Sequence, residues 1–145
     1  VDHGGTPYEA VVRVPLVMNV DWNLEGLNSL VDIPTTLADI TGADLDACSG
    51  YSLVGDVPSD RTVLVEGSLS GHETKAVYQN QYKLITSDGY DTEIAFSLPS
   101  ETVVELPHKK HETLRSSLPS WPSERNSETE VSGVVEDRLE RLGYT

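Results

Sequence analysis

The side chains with the most chemical potential in this chain are its four histidines and its one cysteine. His108 and His111 stand three apart in the segment HKKH, and two imidazoles at this spacing could bind a transition metal. No third ligand lies at a recognisable spacing, and the intervening Lys109 and Lys110 favour an exposed basic turn. Cys48 has no partner cysteine for a disulfide within the chain, and its context, ACSGYSL, predicts an inert small residue of a loop or core.

Three further groups of residues invite a functional role but have simpler interpretations. Glu9 and Arg13 stand four apart and could form an ion pair that fixes the loop before the next strand. We favour this structural role over a catalytic one. His72 and Glu73 lie in a polar turn and are interpreted as surface residues. Trp121 stands between two prolines and is predicted to anchor its segment on a sheet, whereas nothing in the sequence supports a binding platform there.

The charge balance excludes several classes of partner. The chain has 145 residues, of which 24 are acidic and 10 basic, giving a net charge of −14. Binding a phosphate backbone needs a concentrated Lys/Arg surface, and anionic membranes recruit polybasic segments, so neither nucleic acid nor a membrane is an expected partner. No apolar run approaches the ~20 residues that span a bilayer. The length allows one modest domain, or a small domain with part of another.

The distribution of charge indicates the solvent in which the protein works. Acidic residues are dispersed along the chain, while lysine occurs only at positions 75, 83, 109 and 110. Molar salt screens charges beyond about 3 Å, so a dense acidic surface costs little there and helps solubility. We therefore predict a halophilic source, with an ordinary acidic mesophilic protein as the alternative. The opening VDHGGTPYEA lacks the basic and apolar regions of a signal peptide, which favours a cytoplasmic location.

Two elements are predicted in the first half of the chain. Residues 11–20 form an apolar, β-branched run that is typical of a strand buried on both faces of a parallel sheet, with Pro15 at an edge, a bulge or a strand start. We expect its neighbouring strands to lie outside this chain. A helix is predicted to begin between Ser29 and Asp32, a capping-box-like pair, and to end at Gly42. Pro34 is compatible with its first turn.

The second half of the chain predicts a small antiparallel sheet. Short runs rich in Val, Tyr, Ile and Thr alternate with turn residues over 61–106. Residues 107–130 contain three prolines and many serines, which predicts an irregular strap or a flexible segment. The closing segment 131–145, VSGVVEDRLERLGYT, is predicted to be an amphipathic helix, because Val135, Leu139 and Leu142 form a stripe at helical spacing.

Several motifs in the same order resemble the later part of sulfatases of the alkaline-phosphatase-like superfamily. The segments that carry the resemblance are HGGTPYEAVVRVPLVM, NSLVDIPTTLADITGADL, GYSL, KAVYQNQYKLI and the closing RLERLGY. The combination of YE, RVP and DIPTTL is fairly specific, whereas the strand pair and the LGY ending are weak separately. The family's YDLxxDPxE segment is altered here to AFSLPSETVVELP, in which Ala95, Phe96 and Glu101 occupy the equivalent places.

The resemblance implies an α/β fold. Residues 1–59 would form the C-terminal end of an alkaline-phosphatase-like α/β core. Residues 60–145 would form a small α+β subdomain, an antiparallel sheet with a C-terminal helix and the strap near 107–130. The chain would be the C-terminal part of an enzyme that hydrolyses sulfate monoesters, inactive alone because the nucleophile motif and the metal motifs are absent. Its expected partners are the sulfate ester and the N-terminal part of the same enzyme.

The resemblance also implies one catalytic residue, His3. In the family, the basic residue of the HG or KG pair before YE points at the sulfate group, where a cationic imidazole would offset charge or donate a proton. Asp2, His3 and Gly4 could instead match the family's DHG metal motif, but that motif normally lies well upstream of YE. We therefore expect no metal or cofactor on this chain itself, although Ca²⁺ or Mg²⁺ is expected in the complete enzyme.

Two alternatives to a sulfatase remain open. A non-catalytic interaction module would need only the sheet and the terminal helix, and it predicts that residues 60–145 fold stably without the first segment. A related hydrolase of phosphate mono- or diesters would share the architecture, and only the nucleophile motif upstream would separate it from a sulfatase.

Overall fold

A computed structural model describes residues 6–20, 26–45, 49–69, 72–89 and 93–121 of the chain. Two helices precede five strands, and a third helix follows them. In chain order these elements are α1 Glu9–Val12, α2 Asp32–Thr41, β1 Thr62–Leu69, β2 His72–Gln79, β3 Tyr82–Ser87, β4 Ile94–Ser97, β5 Thr102–Val103 and α3 His108–Ser116.

The five strands form one antiparallel sheet in the order β1-β2-β3-β4-β5, so each strand pairs with its neighbour in sequence. Gln79 is paired with Tyr82, which leaves Asn80 and Gln81 as a two-residue turn between β2 and β3. Asn80 has a φ of 53°, a left-handed conformation that asparagine tolerates better than most residues. The predicted antiparallel sheet is therefore confirmed, and the chain is a mixed helix and strand structure.

The sheet buries apolar side chains on both faces, because successive residues of a strand point to opposite sides. One face contains the buried cluster Ala76, Tyr78, Ile85 and Phe96, against which Val12 and Leu27 of the first half pack. On the other face Val77 and Leu84 pack against Leu114 of α3, and all three side chains are almost completely buried. The sheet thus separates the N-terminal segment from α3.

The predicted helix of the first half is confirmed as α2, from Asp32 to Thr41. Its start is fixed by the Asp32 carboxylate, which accepts a 2.7 Å hydrogen bond from the backbone N–H of Ser29. Its end is Gly42, whose φ of 68° is the left-handed conformation that glycine adopts without steric cost. Pro34 lies in the first turn, where no backbone donor is required.

The structure differs from prediction at two places. Residues 11–20 do not form a strand: 11 and 12 complete α1, and 13–20 have no regular structure. A strand needs a neighbour that accepts its backbone hydrogen bonds, and no described residue pairs with this segment. The predicted strap near 107–130 begins instead with α3, because Pro107 stands just before the helix and Leu114 has an apolar surface to cover.

Other predictions for these regions lie outside the described residues. They include the helix over 131–145 and the remainder of the strap. The division of the chain between 1–59 and 60–145 stays a prediction. Among the described helices, none has both the length and the apolar character needed to cross a bilayer.

Candidate functional site

The one predicted catalytic residue, His3, lies outside the described residues, as do Asp2 and Cys48. The Tyr8-Glu9 pair that follows in the same motif is described, and Glu9 contacts a buried lysine of the sheet. Tyr8 stands just before α1, and its ring meets that of Phe96 edge to face at 6.0 Å. Glu9 is the first residue of α1. The structure therefore holds Pro7, Tyr8 and Glu9 against the sheet.

The ammonium group of Lys83, on β3, is the centre of this contact, and the Lys83 side chain is completely buried. Its Nζ donates to the carbonyl oxygen of Pro7 at 3.0 Å, to Glu9 Oε1 at 3.2 Å and to Glu101 Oε1. We call Lys83, Glu9, Glu101 and Tyr78 the Lys83 cluster. Because an ammonium group has three N–H donors, these three acceptors satisfy it fully.

Glu9 and Glu101 each make a second contact that ties the cluster to the backbone or the sheet. The backbone N–H of Glu9, at the start of α1, donates a bifurcated hydrogen bond to the two carboxylate oxygens of Glu101, at 3.0 and 3.2 Å. Glu9 Oε1 also accepts a 2.9 Å bond from the hydroxyl of Tyr78. Burial, and then this hydrogen bond to a carboxylate, raises the pKa of Tyr78, because both disfavour the phenolate.

Chemically, the Lys83 cluster is suited to holding a segment in place. All three ammonium protons are directed at protein acceptors, so none remains for a substrate. The rings of Tyr78 and Phe96 lie 5.2 and 5.3 Å from Lys83 Nζ, and they surround the cation with apolar carbon. The cluster joins residues 74 and 92 positions apart in sequence. It therefore positions Pro7 and Glu9 on the sheet.

A second buried ion pair fixes helix α2 to the start of the sheet. Arg61 donates to both carboxylate oxygens of Asp32, at 2.9 and 3.1 Å, and Asp32 is fully buried. Asp32 also accepts the backbone N–H of Tyr51 at 3.0 Å, in addition to that of Ser29. Burial alone would raise the pKa of Asp32, but the hydrogen bonds from Arg61, Tyr51 and Ser29 outweigh it and lower the pKa below 3.8.

A mainly apolar cavity of about 860 Å³ adjoins the Lys83 cluster. Glu9, Arg13 and Tyr78 line it on the cluster side. Its other walls include residues 26–30 and 63–65 together with Val12, Val14, Leu16, Ile33, Leu53 and Leu98. Within the described ranges, no group of three or more His, Cys, Asp or Glu side chains could hold a metal ion. The cavity is lined mainly by apolar side chains, and its described lining contains no group of ligands that would bind a metal ion.

The remaining sequence candidates have local partners in the structure. Glu9 was predicted to pair with Arg13, but in the structure its carboxylate forms an ion pair with Lys83. His108 and His111 point to different acids: His108 Nδ1 lies 3.4 Å from Glu112, and His111 Nε2 lies 2.8 Å from Glu93. The predicted basic turn is the first turn of α3, and its two imidazoles act separately.

Trp121 lies over the ammonium group of Lys75, whose Nζ is 4.2 Å from the centre of the ring. Lys75 Nζ also donates to the backbone oxygens of Pro119 and Ser120, at 3.3 and 3.1 Å. The predicted anchoring of this segment on the sheet is confirmed, because Lys75 belongs to β2.

Sequence reasoning missed the Lys83 cluster as a unit, although it singled out Glu9 and assigned Glu101 an equivalent place. The available signal was a lysine inside YKLIT, an otherwise apolar strand, in a chain with only four lysines. A charged residue at a buried strand position requires opposite charge nearby.

Comparisons with known proteins found no relative of this chain: no family model, no curated protein and no solved structure matches it.

Proposed function

We propose that this chain is the C-terminal part of a sulfatase-like hydrolase of sulfate monoesters, with an alkaline-phosphatase-like core completed by other residues. The Lys83 cluster is the observation that carries the proposal. The segments that carry the resemblance are distant in sequence, yet Glu9 of the YE pair and Lys83 of the strand pair meet in one cluster with Glu101 of the altered acidic segment. If these motifs belong to one family architecture, they are expected to contact one another in the folded chain, as they do in this cluster.

In this proposal His3 faces the sulfate group of the substrate. His3 stands five residues before Tyr8, whose neighbour Glu9 belongs to the Lys83 cluster. As a cation it would offset charge on the sulfate oxygens, and as an acid it would protonate the leaving oxygen. The nucleophile and the ligands of the Ca²⁺ or Mg²⁺ expected in such an enzyme are assigned to residues outside this chain.

The geometry argues against the alternative of an independent interaction module made of residues 60–145. Lys83 is fully buried, and two of its three acceptors, the Pro7 carbonyl and Glu9, come from the first segment. Removing that segment would take away two of the three acceptors of Lys83 and would expose the apolar surface that Val12 and Leu27 cover. Expression of residues 60–145 is therefore expected to give an unfolded or aggregated product.

The function is tested by hydrolysis assays with aryl sulfate and aryl phosphate, in the presence of Ca²⁺ or Mg²⁺. Residues 1–145 alone are expected to hydrolyse neither ester. The same chain joined to the polypeptide encoded directly upstream is expected to hydrolyse the sulfate. His3→Ala should reduce turnover by the ~10²-fold or more associated with a general acid. Clear turnover from residues 1–145 alone would refute the proposal, and exclusive hydrolysis of the phosphate ester would favour the phosphatase alternative.

A further inference from the structure

Strand β1 is a long and regular edge of the sheet. All of its residues, Thr62–Leu69, pair with β2 in an uninterrupted register, and no described strand pairs with its other side. Proteins usually blunt a sheet edge with a proline, a lysine, a bulge or a very short strand. β1 has no proline, lysine or bulge, and Glu66 is its one charged residue. The opposite edge, β5, is only Thr102–Val103, so β1 is the edge that is open to a further strand.

The register of the sheet shows which backbone groups of β2 bond to β1. Gln79 and Tyr82 flank the two-residue turn between β2 and β3, and therefore form a hydrogen-bonded pair. Successive residues of a strand direct their N–H and C=O groups to opposite sides of it. Because Gln79 bonds to β3, its neighbour Tyr78 bonds to β1, where its partner is Val63.

The same alternation identifies the backbone groups that point out of the open edge. Val63 and Val65 bond to β2, so the N–H and C=O groups of Thr62, Leu64 and Glu66 point away from it. None of the described residues accepts a hydrogen bond from these three N–H groups. They are the donors that a further strand would use.

An apolar row of side chains crosses the sheet and ends at this edge. On the face that carries α3, four residues that are paired from strand to strand lie side by side: Ala95, Leu84, Val77 and Leu64. Val77 and Leu84 are almost completely buried against α3, whereas Leu64 is 42% exposed. Directly paired residues contact one another across neighbouring strands, so the row is continuous. Leu64 is the member that lacks a neighbour on one side.

From these observations we propose that β1 pairs with β1 of a second copy of this chain, about a two-fold axis that passes through Leu64. A two-fold axis perpendicular to a sheet makes two equivalent edge strands antiparallel, which is the kind of pairing that the described sheet uses throughout. Leu64 then lies opposite Leu64 of the second copy, and the apolar row continues into the second sheet. Because β5 offers no comparable edge, the assembly closes as a dimer.

Charge selects this register over its neighbours. With the axis at Leu64, Thr62 lies opposite Glu66 and Val63 lies opposite Val65, so no like charges meet. An axis at Glu66 would place two carboxylates opposite each other, and an axis at Val65 would place Glu66 opposite Leu64. In the register centred on Leu64, each outward N–H group of Thr62, Leu64 and Glu66 meets a C=O group of the second copy.

Charge also determines the conditions that favour the dimer. Each copy has a net charge of −14, so two copies repel each other in dilute buffer. In 2 M KCl this repulsion is screened, while the apolar contacts and the backbone hydrogen bonds remain. The dissociation constant of the dimer should therefore be at least about threefold lower in 2 M KCl than in 0.15 M KCl. The dimer is independent of the proposed hydrolysis, because it uses none of the residues assigned to that reaction.

The dimer is tested by sedimentation of residues 1–145 over a series of concentrations in 2 M KCl. The mass should rise from 15.8 kDa to twice that value. Leu64→Glu places two carboxylates opposite each other on the axis and should raise the dissociation constant at least about tenfold. The matched control is Val103→Glu, at a 67% exposed apolar position on the opposite edge, and it should change the constant less than about twofold. Far-UV circular dichroism checks that both variants keep the sheet.

Hydrogen exchange gives a second readout that needs no substitution. Raising the concentration of the chain through the dissociation constant should slow exchange at the amides of Thr62, Leu64 and Glu66 at least about tenfold. The amides of Val63 and Val65 already bond to β2 and should change less than about twofold.

Four results would overturn the inference. The chain could stay monomeric up to about 1 mM in 2 M KCl, or Leu64→Glu could dimerise as tightly as Val103→Glu. The amides of Thr62, Leu64 and Glu66 could already be protected in the monomer, which would show that the chain covers its own edge. Protection that appears only when the polypeptide encoded directly upstream is added would show that a different partner occupies the edge.

Discussion

Replacing Lys83 by methionine tests whether the Lys83 cluster holds the first segment on the sheet. Methionine preserves most of the apolar stem, so the change removes mainly the ammonium group. The carboxylates of Glu9 and Glu101, only 21% and 19% exposed, then face each other without a cation, and the Pro7 carbonyl loses its donor. Removing one partner of a buried ion pair costs 3–5 kcal/mol, and the partial exposure of the carboxylates places the expected loss near the lower end, at about 3 kcal/mol.

Urea unfolding followed by far-UV circular dichroism measures this loss, which corresponds to a decrease in Tm of about 10 °C for a domain of this size. The matched control is Lys109→Met, because Lys109 is an exposed lysine on α3 and should change stability by less than about 0.5 kcal/mol. In Lys83→Met, hydrogen exchange should accelerate at the amides of Glu9 and Val12 before it accelerates in the β2-β3 ladder.

A second substitution distinguishes loss of the cation from loss of packing. Adding Glu101→Gln to Lys83→Met removes one of the two opposed negative charges, while the amide oxygen can still accept the backbone N–H of Glu9. The double variant should therefore recover about 1 kcal/mol relative to Lys83→Met. A loss below about 1 kcal/mol in Lys83→Met, an equal loss in Lys109→Met, or no recovery in the double variant would refute the electrostatic reasoning.

Four further outcomes follow from the same structure. Asp32→Asn should lower the free energy of unfolding by about 2–4 kcal/mol at neutral pH, because it weakens the buried ion pair with Arg61. Since the folded pKa of Asp32 is lowered below 3.8, its contribution is complete above that pH and is lost as pH falls through the folded pKa; the stability gap to wild type should therefore narrow below about pH 4. Gly50→Ala should lose about 2 kcal/mol or more in urea unfolding, because its Cβ would lie 2.0 Å from the carbonyl oxygen of Val31. Leu114→Ala should lower the free energy of unfolding by about 3 kcal/mol, since Leu114 is fully buried. Hydrogen exchange should accelerate at the amides of α3 before it accelerates in the sheet. With a net charge of −14, the chain should show a higher Tm in 2 M KCl than in 0.15 M KCl, and an unchanged Tm would contradict the halophilic prediction.

The elements that sequence reasoning predicted well are those whose signals are local. Helix α2 is bounded by Asp32 and Gly42, both of which act on the backbone within three or four residues. The sheet follows from β-branched runs separated by short turns such as Asn80-Gln81, because neighbouring strands can pair without distant help. Helix α3 was missed because the prolines around it suggested irregular structure, while its one buried contact, Leu114, lies on the sheet.

The features that could not be predicted depend on residues far apart in sequence. The sequence shows Lys83 as one lysine in an apolar strand, whereas its role depends on acceptors at positions 7, 9 and 101, which the structure brings together. The ion pair between Asp32 and Arg61 spans 29 positions. The hydrogen bond between Asp32 and Ser29 is a local motif, and it was the part of these contacts that the sequence could predict. The segment 13–20 is the reverse case: its composition is that of a strand, but a strand also requires an edge to pair with.

The most direct test of the account is aryl sulfate hydrolysis by residues 1–145, alone and together with the polypeptide encoded directly upstream. The account predicts no turnover by the chain alone and turnover by the assembled protein that depends on His3. Turnover by the chain alone, or an assembled protein that leaves the sulfate ester intact, would contradict it.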